Sequence, residues 1–172
     1  MKKIKASLPI LFTLTCFVAF FAGQLKAQTP NCYITSVTDG DSFEAVYQGK
    51  IITCRLALID APELKQAFGI AARDSLSSLI KNKTGVLTIV KQDRYNRLLV
   101  KLVVGHTDVQ EAMLEQGMAW VYTNYTNDKY LRMLELQAQS GEAGLWACKQ
   151  RLPPWQFRGL SKSGKAFFAS CN

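Results

Sequence analysis

One histidine, His106, is all that the 172 residues hold. That scarcity excludes two-histidine acid–base catalysis and multi-histidine metal sites. His106 itself sits in VVGHTD, which reads as a turn. The chain has no GxSxG elbow, no Gly-rich phosphate loop and no HExxH pair, so the enzyme classes built on those patterns are excluded. No CxxC pair occurs either, which argues against a zinc site. Internal repeats and low-complexity stretches are absent. An enzyme made from this chain has to work with carboxylates and arginines.

The length suits one ordinary domain. Lys2, Lys3 and Lys5 precede an uncharged, apolar-rich run from Ala6 to Leu25, and Ala27 gives a small-residue exit. A basic start, a short apolar middle and a small exit describe a secretory signal peptide over residues 1–27. An uncleaved anchor is the alternative, because the run approaches membrane-spanning length. Cys16 is a poor lipidation site, since apolar residues continue past it and Thr15 precedes it. Removing 1–27 takes away four lysines and no acid. Lys+Arg falls from 21 to 17 against 13 acids, and net charge from +8 to +4. That mild positive bias is compatible with a polyanionic partner and does not prove one.

Four cysteines remain: Cys32, Cys54, Cys148 and Cys171. An exported chain meets oxidant, and Cys148 and Cys171 flank the tail, so a bridge between those two is favoured. Cys54 lies beside an apolar run and reads as a buried thiol.

Strand-like runs cover Tyr33–Val37, Ser42–Tyr47 and Lys50–Ile59, with Gln48-Gly49 as the hairpin turn between the last two. From Phe68 the spacing turns helical, with Ala72, Leu76, Leu79 and Ile80 on one face. Lys81 and Lys83 suit the helix end, and Gly85 is the expected stop. Val86–Lys91 and Arg97–Val104 read as two further strands. Thr107 with Gln110 forms an expected capping box for a second helix ending at Gly117. A third helix runs from Asn127 or Asp128 to Ala143, with Gly144 as its C-cap. The tail LPPWQFR, Leu152–Arg158, is expected to be neither regular helix nor central strand, and to wrap the surface with Trp155 packed on the body. This order fits an α+β domain: a five-stranded barrel of the oligonucleotide-binding (OB-fold) type with three packed α-helices. Other α+β domains share the same order.

Three places concentrate charge. TDGDSF, Thr38–Phe43, carries two carboxylates on a tight turn, and read alone it is an ordinary Asx turn. RLALIDAPE, Arg55–Glu63, sets Asp60 and Glu63 on a corner stiffened by Pro62. DRYNR, Asp93–Arg97, is a polar turn between strands that reads alone as a solvated hairpin tip. Together they supply the parts for phosphodiester hydrolysis. Asp41 and Asp60 suit a hard cation such as Ca²⁺. Glu63 suits proton abstraction from an attacking water. Arg55 and Arg97 suit phosphate oxygens and the charge that grows on them.

These motifs, DGDSF, RLALIDAPE and DRYNR, resemble the staphylococcal nuclease family in order and spacing. QEAMLEQGMAWVY and LRMLELQAQSGEAGLW resemble its later helices, so the likeness covers roughly Val37–Trp146. The PPWQFR tail is similar to that of bacterial members. The resemblance implies a five-stranded barrel with three helices and Ca²⁺-dependent cleavage of DNA and RNA. By motif position, Arg55, Glu63 and Arg97 match the catalytic trio, and Asp41 and Asp60 the metal carboxylates. Ala61 stands where the reference nuclease has threonine and offers the same backbone carbonyl to calcium. Arg94 and Tyr95 match contacts to a terminal phosphate, while Tyr122 and Tyr125 lie near the family's base-stacking tyrosines. The loop after Glu63, LKQAFG, is shorter than the reference loop. The organisation expected is a signal peptide (1–27), a nuclease domain (28–150) and a tail packed on it (151–172). The protein is expected to be a monomer, periplasmic or extracellular, with no stable membrane association once the leader is cleaved. A non-catalytic nucleic-acid-binding module on the same barrel is the main rival. An unrelated secreted domain leaves the three motifs unexplained.

Overall fold

The computed structural model describes residues 31–171; the expected signal peptide and nearly all of the expected arm at Gln28–Asn31 lie outside them. Strands β1 (Asn31–Val37), β2 (Ser42–Tyr47) and β3 (Lys50–Leu56) form an antiparallel meander. Gln48 and Gly49 both take positive φ at the β2–β3 turn, which is what a two-residue hairpin of matching twist requires. Strands β5 (Thr84–Gln92) and β6 (Leu98–Val104) make a second hairpin. β1 pairs with β5, and β6 pairs with β3 in parallel, so five strands close into a barrel. Closure removes the free edges. Two register shifts, between Ile34 and Ser36 and between Ile89 and Lys91, supply the local bends that closure needs. The sequence-expected α+β OB-fold barrel is therefore the observed architecture.

Strand alternation fills the interior with Cys32, Ile34, Phe43, Ala45, Cys54, Leu56, Leu87, Val100 and Leu102. Helix α1 (Gly69–Ile80) adds Ala72, Leu76 and Ile80 at four-residue spacing. Helices α2 (Val109–Glu115) and α3 (Lys129–Ser140) complete the same core with Val109, Met113, Leu131 and Leu134. A smaller cluster of Trp120, Ala138, Leu145 and Trp146 packs beside it, with the two indoles edge to face at 5.1 Å.

Several boundaries differ from the sequence reading. The third strand stops at Leu56, because Leu58 takes φ +70° and breaks the run. Its carbonyl accepts the Tyr122 N–H, and Ile59–Asp60 then forms a separate short strand, β4, paired with β8 (Trp120–Val121). Asn82, at φ +59°, turns the chain after α1, so Gly85 lies inside β5 rather than stopping the helix. Lys83 Nζ does reach the terminal carbonyls of Ser78 and Leu79. Thr107 pairs with Val104 as part of β7 (Thr107–Asp108), leaving Asp108 to cap α2 by accepting from Glu111 N–H. Gln110 is buried instead, accepting from Leu102 N–H and donating to Val100 O. α3 ends at Gly141, and Gly144 opens a 3-10 turn, Gly144–Ala147. The tail holds two short helices, α4 (Pro154–Phe157) and α5 (Lys162–Phe167). α4 is possible because Pro154 sits at a helix start, where its missing N–H costs nothing. Cys148 and Cys171 are joined, while Cys32 and Cys54 are free and buried. Among the described residues no helix is long and apolar enough to cross a membrane.

Candidate active site

The turn before β2 and the end of β3 are tied together. Leu56 N–H donates to Asp41 O, and Asp39 Oδ1 accepts from Asp41 N–H in an Asx turn. The turn reading of DGD thus holds at Asp39, while Asp41 is aimed elsewhere. Arg55 faces opposite to Cys54 and Leu56 on β3, so it leaves the barrel interior and meets two carboxylates. Its Nη2 donates to Asp41 Oδ2 at 2.9 Å and to Asp60 Oδ1 at 2.6 Å, and Nη1 donates to Leu56 O. Asp60 is 1% exposed, Asp41 6% and Arg55 9%, so this is a buried charge cluster. Such a cluster persists only when every lone pair has a partner. Asp41 Oδ2 also takes the Ala61 N–H, and Oδ1 takes the Ser42 hydroxyl. The break at Leu58 and the β4–β8 pairing are what turn Asp60 back toward Arg55.

A cavity of about 760 Å³ opens on this cluster. Asp41, Arg55, Asp60, Ala61 and Glu63 line it, and so do Arg94, Tyr95, Arg97, Tyr122 and Tyr125. All ten residues singled out as catalytic, metal-binding or substrate-binding therefore face one space. Arg97 is held by Asp93, whose Oδ2 accepts from Nε at 2.9 Å, and its Nη1 lies 3.5 Å from the Ser42 hydroxyl. Burial raises the Asp93 carboxyl, but the bonds it accepts from the Arg97 N–H, the Arg97 guanidinium and the Tyr95 N–H outweigh that and hold it below its usual range. Tyr95 is 63% exposed, and the guanidinium groups of Arg94 and Arg97 lie over its ring. Tyr122 and Tyr125 meet edge to face at 4.7 Å.

Two groups at this site were given no role from sequence. Asp39 lines the cavity, and burial together with the neighbouring Asp41 charge pushes its carboxyl up to about 6. Arg158, from the tail, donates to Asp60 Oδ2 at 2.8 Å and to Glu63 Oε1 at 2.9 Å. Burial disfavours its charge, but the hydrogen bonds to those two carboxylates outweigh that and raise it above the ordinary arginine value. Arg55 is raised for the same kind of reason: Asp41 and Asp60 outweigh its burial. Asp60 itself is pushed up by burial, against the pull of both arginines. The one sequence signal for Arg158 was its place in PPWQFR beside Trp155. That indole stacks on Tyr122 at 5.1 Å and 7°.

Four carboxylates, Asp39, Asp41, Asp60 and Glu63, line the cavity together with Arg55 and Arg158, and Lys91, Arg94 and Arg97 line it as well. The carboxylates and the Ala61 carbonyl make an all-oxygen donor set, which suits a hard divalent cation. Among the described residues no three His, Cys, Asp or Glu side chains group closely enough to hold a metal ion by themselves.

Comparison with known proteins gives a family match and several relatives. The family model of staphylococcal nuclease homologues matches residues 53–148, more than half of the chain. An uncharacterized endonuclease of Haemophilus influenzae is 33% identical over 159 residues, covering 92% of this chain and 89% of the relative. An uncharacterized endonuclease of Escherichia coli O157:H7 is 36% identical over 126 residues, 73% of this chain and 82% of the relative. A micrococcal nuclease of Shigella flexneri is 33% identical over 141 residues, 76% of this chain and 81% of the relative. A family match that runs from within β3 through all three main helices, with a relative aligned along nearly the whole chain, makes this protein a member of the staphylococcal nuclease family.

Proposed function

We propose that the protein is an exported, Ca²⁺-dependent endonuclease that hydrolyses phosphodiester bonds in DNA and RNA. The observation that supports this best is the buried Asp41–Arg55–Asp60 cluster opening on the same cavity as Glu63 and Arg97. The endonuclease and nuclease names of the relatives support the same reading. Asp41, Asp60 and the Ala61 carbonyl are the groups that would hold the ion. When bound, Ca²⁺ supplies positive charge against the phosphate.

The remaining chemistry belongs to the chain. Glu63 takes a proton from the attacking water; one of its oxygens is engaged by Arg158. Arg55 uses three of the five N–H donors of a guanidinium on Asp41, Asp60 and Leu56 O, so two remain for phosphate oxygens. Its orientation is fixed in advance, so little reorganisation is needed as charge grows on the phosphate. Arg97, steadied by Asp93, donates to the phosphate as well. Arg94 and Tyr95 flank the position of a terminal phosphate, and Tyr122 and Tyr125 offer ring faces to bases. The basic leader and the Cys148–Cys171 bond both suit an oxidising compartment outside the cytoplasm.

The test is hydrolysis of single-stranded DNA and RNA with added Ca²⁺ and with EGTA. Cleavage with Ca²⁺ and none in EGTA is expected; full activity in chelator refutes the metal assignment. Binding of DNA without cleavage across a divalent-metal screen favours the non-catalytic module.

A further inference from the structure

Arg158 is 98 residues from Asp60 in sequence and touches it at hydrogen-bond distance. Its backbone is well anchored on the N-terminal side. Pro154 and Phe157 are buried, Trp155 stacks on Tyr122, and Gln66 Nε2 holds Leu152 O. The side chain is the loose part. It is 43% exposed, whereas the Arg55 side chain is 11% exposed and pinned by three acceptors. Both arginines serve Asp60, a carboxylate 1% exposed, and Arg158 also occupies Glu63 Oε1. A cation arriving at Asp60 therefore meets two guanidiniums, of which Arg158 is much the more exposed. Arg158 lines the open cavity, so its half-exposed side chain has solvent beside it.

We propose that Arg158 is a positioning residue that stands in for the metal ion: it holds Asp60 and Glu63 while the site lacks a divalent cation, and yields both carboxylates when the cation binds. This rests on the calcium-dependent reading above. Its consequence is that cation entry does two things at once. It loads the carboxylate end of the cavity and releases Glu63 from its ion pair to act on water. The tail is then a working part of the site, because it carries the competitor that ties general base and metal carboxylate together.

The experiment is calorimetric titration of the purified protein with Ca²⁺ alone, without nucleic acid. Arg158→Ala is expected to bind Ca²⁺ at least about tenfold more tightly than wild type, the scale of one charge-assisted hydrogen bond removed from competition. Arg158→Lys keeps the charge without the fork and is expected to fall between the two. Equal or weaker Ca²⁺ affinity in folded Arg158→Ala overturns the proposal. Should that variant fail to fold, the arginine side-chain N–H resonance of Arg158 in the wild type decides. Its shift on Ca²⁺ addition is expected, and an unchanged resonance at saturation overturns the proposal. A wild type that binds no Ca²⁺ overturns the calcium-dependent reading and this inference with it. A wild type that binds Ca²⁺ with no gain in Arg158→Ala overturns this inference alone.

Discussion

Arg55→Gln is the sharpest perturbation of the buried cluster. It removes the charge between Asp41 and Asp60 while keeping a polar, though shorter, side chain. Breaking one partner of a buried ion pair costs about 3–5 kcal/mol, because the orphaned charge stays out of water. Here Asp60 keeps Arg158 and Asp41 keeps the Ala61 N–H and the Ser42 hydroxyl, so the lower end applies, about 3 kcal/mol. The side chains concerned are only 1–11% exposed, so solvent screening takes little from that figure. For a domain of this size each kcal/mol lowers Tm by roughly 3 °C, giving a fall of about 10 °C.

The assay is thermal and urea unfolding in EGTA near neutral pH. High salt should leave the loss nearly intact, since a buried pair is poorly screened. Adding Asp60→Asn to Arg55→Gln removes one of the orphaned charges, so the double variant should lose less than the two single losses combined. A coupling of about 1 kcal/mol or more is expected for groups in direct contact. A Tm drop below about 3 °C, or strict additivity, refutes the account of Arg55 as the counter-ion that lets this cluster be buried.

Glu63→Ala and Arg97→Ala should keep the fold, because these side chains are 40% and 30% exposed, and should lower turnover by roughly 10²–10³-fold in a DNA-cleavage assay; wild-type rates in either refute its role. Glu135 is 1% exposed, accepts from Val121 N–H and pairs with Arg132, and burial raises its carboxyl above the ordinary value. A raised folded value means the native state holds the proton more tightly, so this group's contribution to stability falls as pH rises from the ordinary carboxylate range through the raised value. Glu135→Gln should therefore gain on wild type across that window in urea unfolding, and a constant difference at all pH values refutes it. Burial pushes the Cys54 thiol up to about 12 and raises Cys32 as well. Both should be inert to a disulfide reagent in the native protein and react on denaturation; rapid native labelling would contradict their burial.

Five barrel strands and three main helices were legible because their signals are local: alternation on the strands, four-residue spacing on α1, and Gln-Gly at the first hairpin. The misread boundaries share a cause, a local signal overruled by a distant partner. Leu56-Ala57-Leu58-Ile59 is apolar throughout and reads as one strand. It is divided because Leu58 O bonds Tyr122 N–H and Ile59 pairs with Val121. Thr107 and Asp108 can both cap a helix, and the pairing of Thr107 with Val104 decides between them. Gln110 looked like half of a capping box and instead completes the hydrogen bonding of β6 from inside the core.

The same contrast separates the site residues that sequence reveals from the one it hides. Arg55, Asp60 and Glu63 lie within nine residues, on a strand end and a proline corner, so their convergence needs only local geometry. Asp41 is brought to them by the β2–β3 pairing, in which Ser42 faces Arg55. Arg158 arrives from the far end of the chain, carried by Trp155 on Tyr122 and Phe157 in the body. No spacing rule announces such a contact. The expected boundary between the domain and its packed tail, at residue 150, therefore falls between Glu63 and its ion-pair partner. A chain shortened there would keep the barrel core, which lies wholly before that point, and lose one of the two cations that hold Asp60 out of water. The tail thus serves the site through Arg158 and the fold through Phe157 and the Cys148–Cys171 bond.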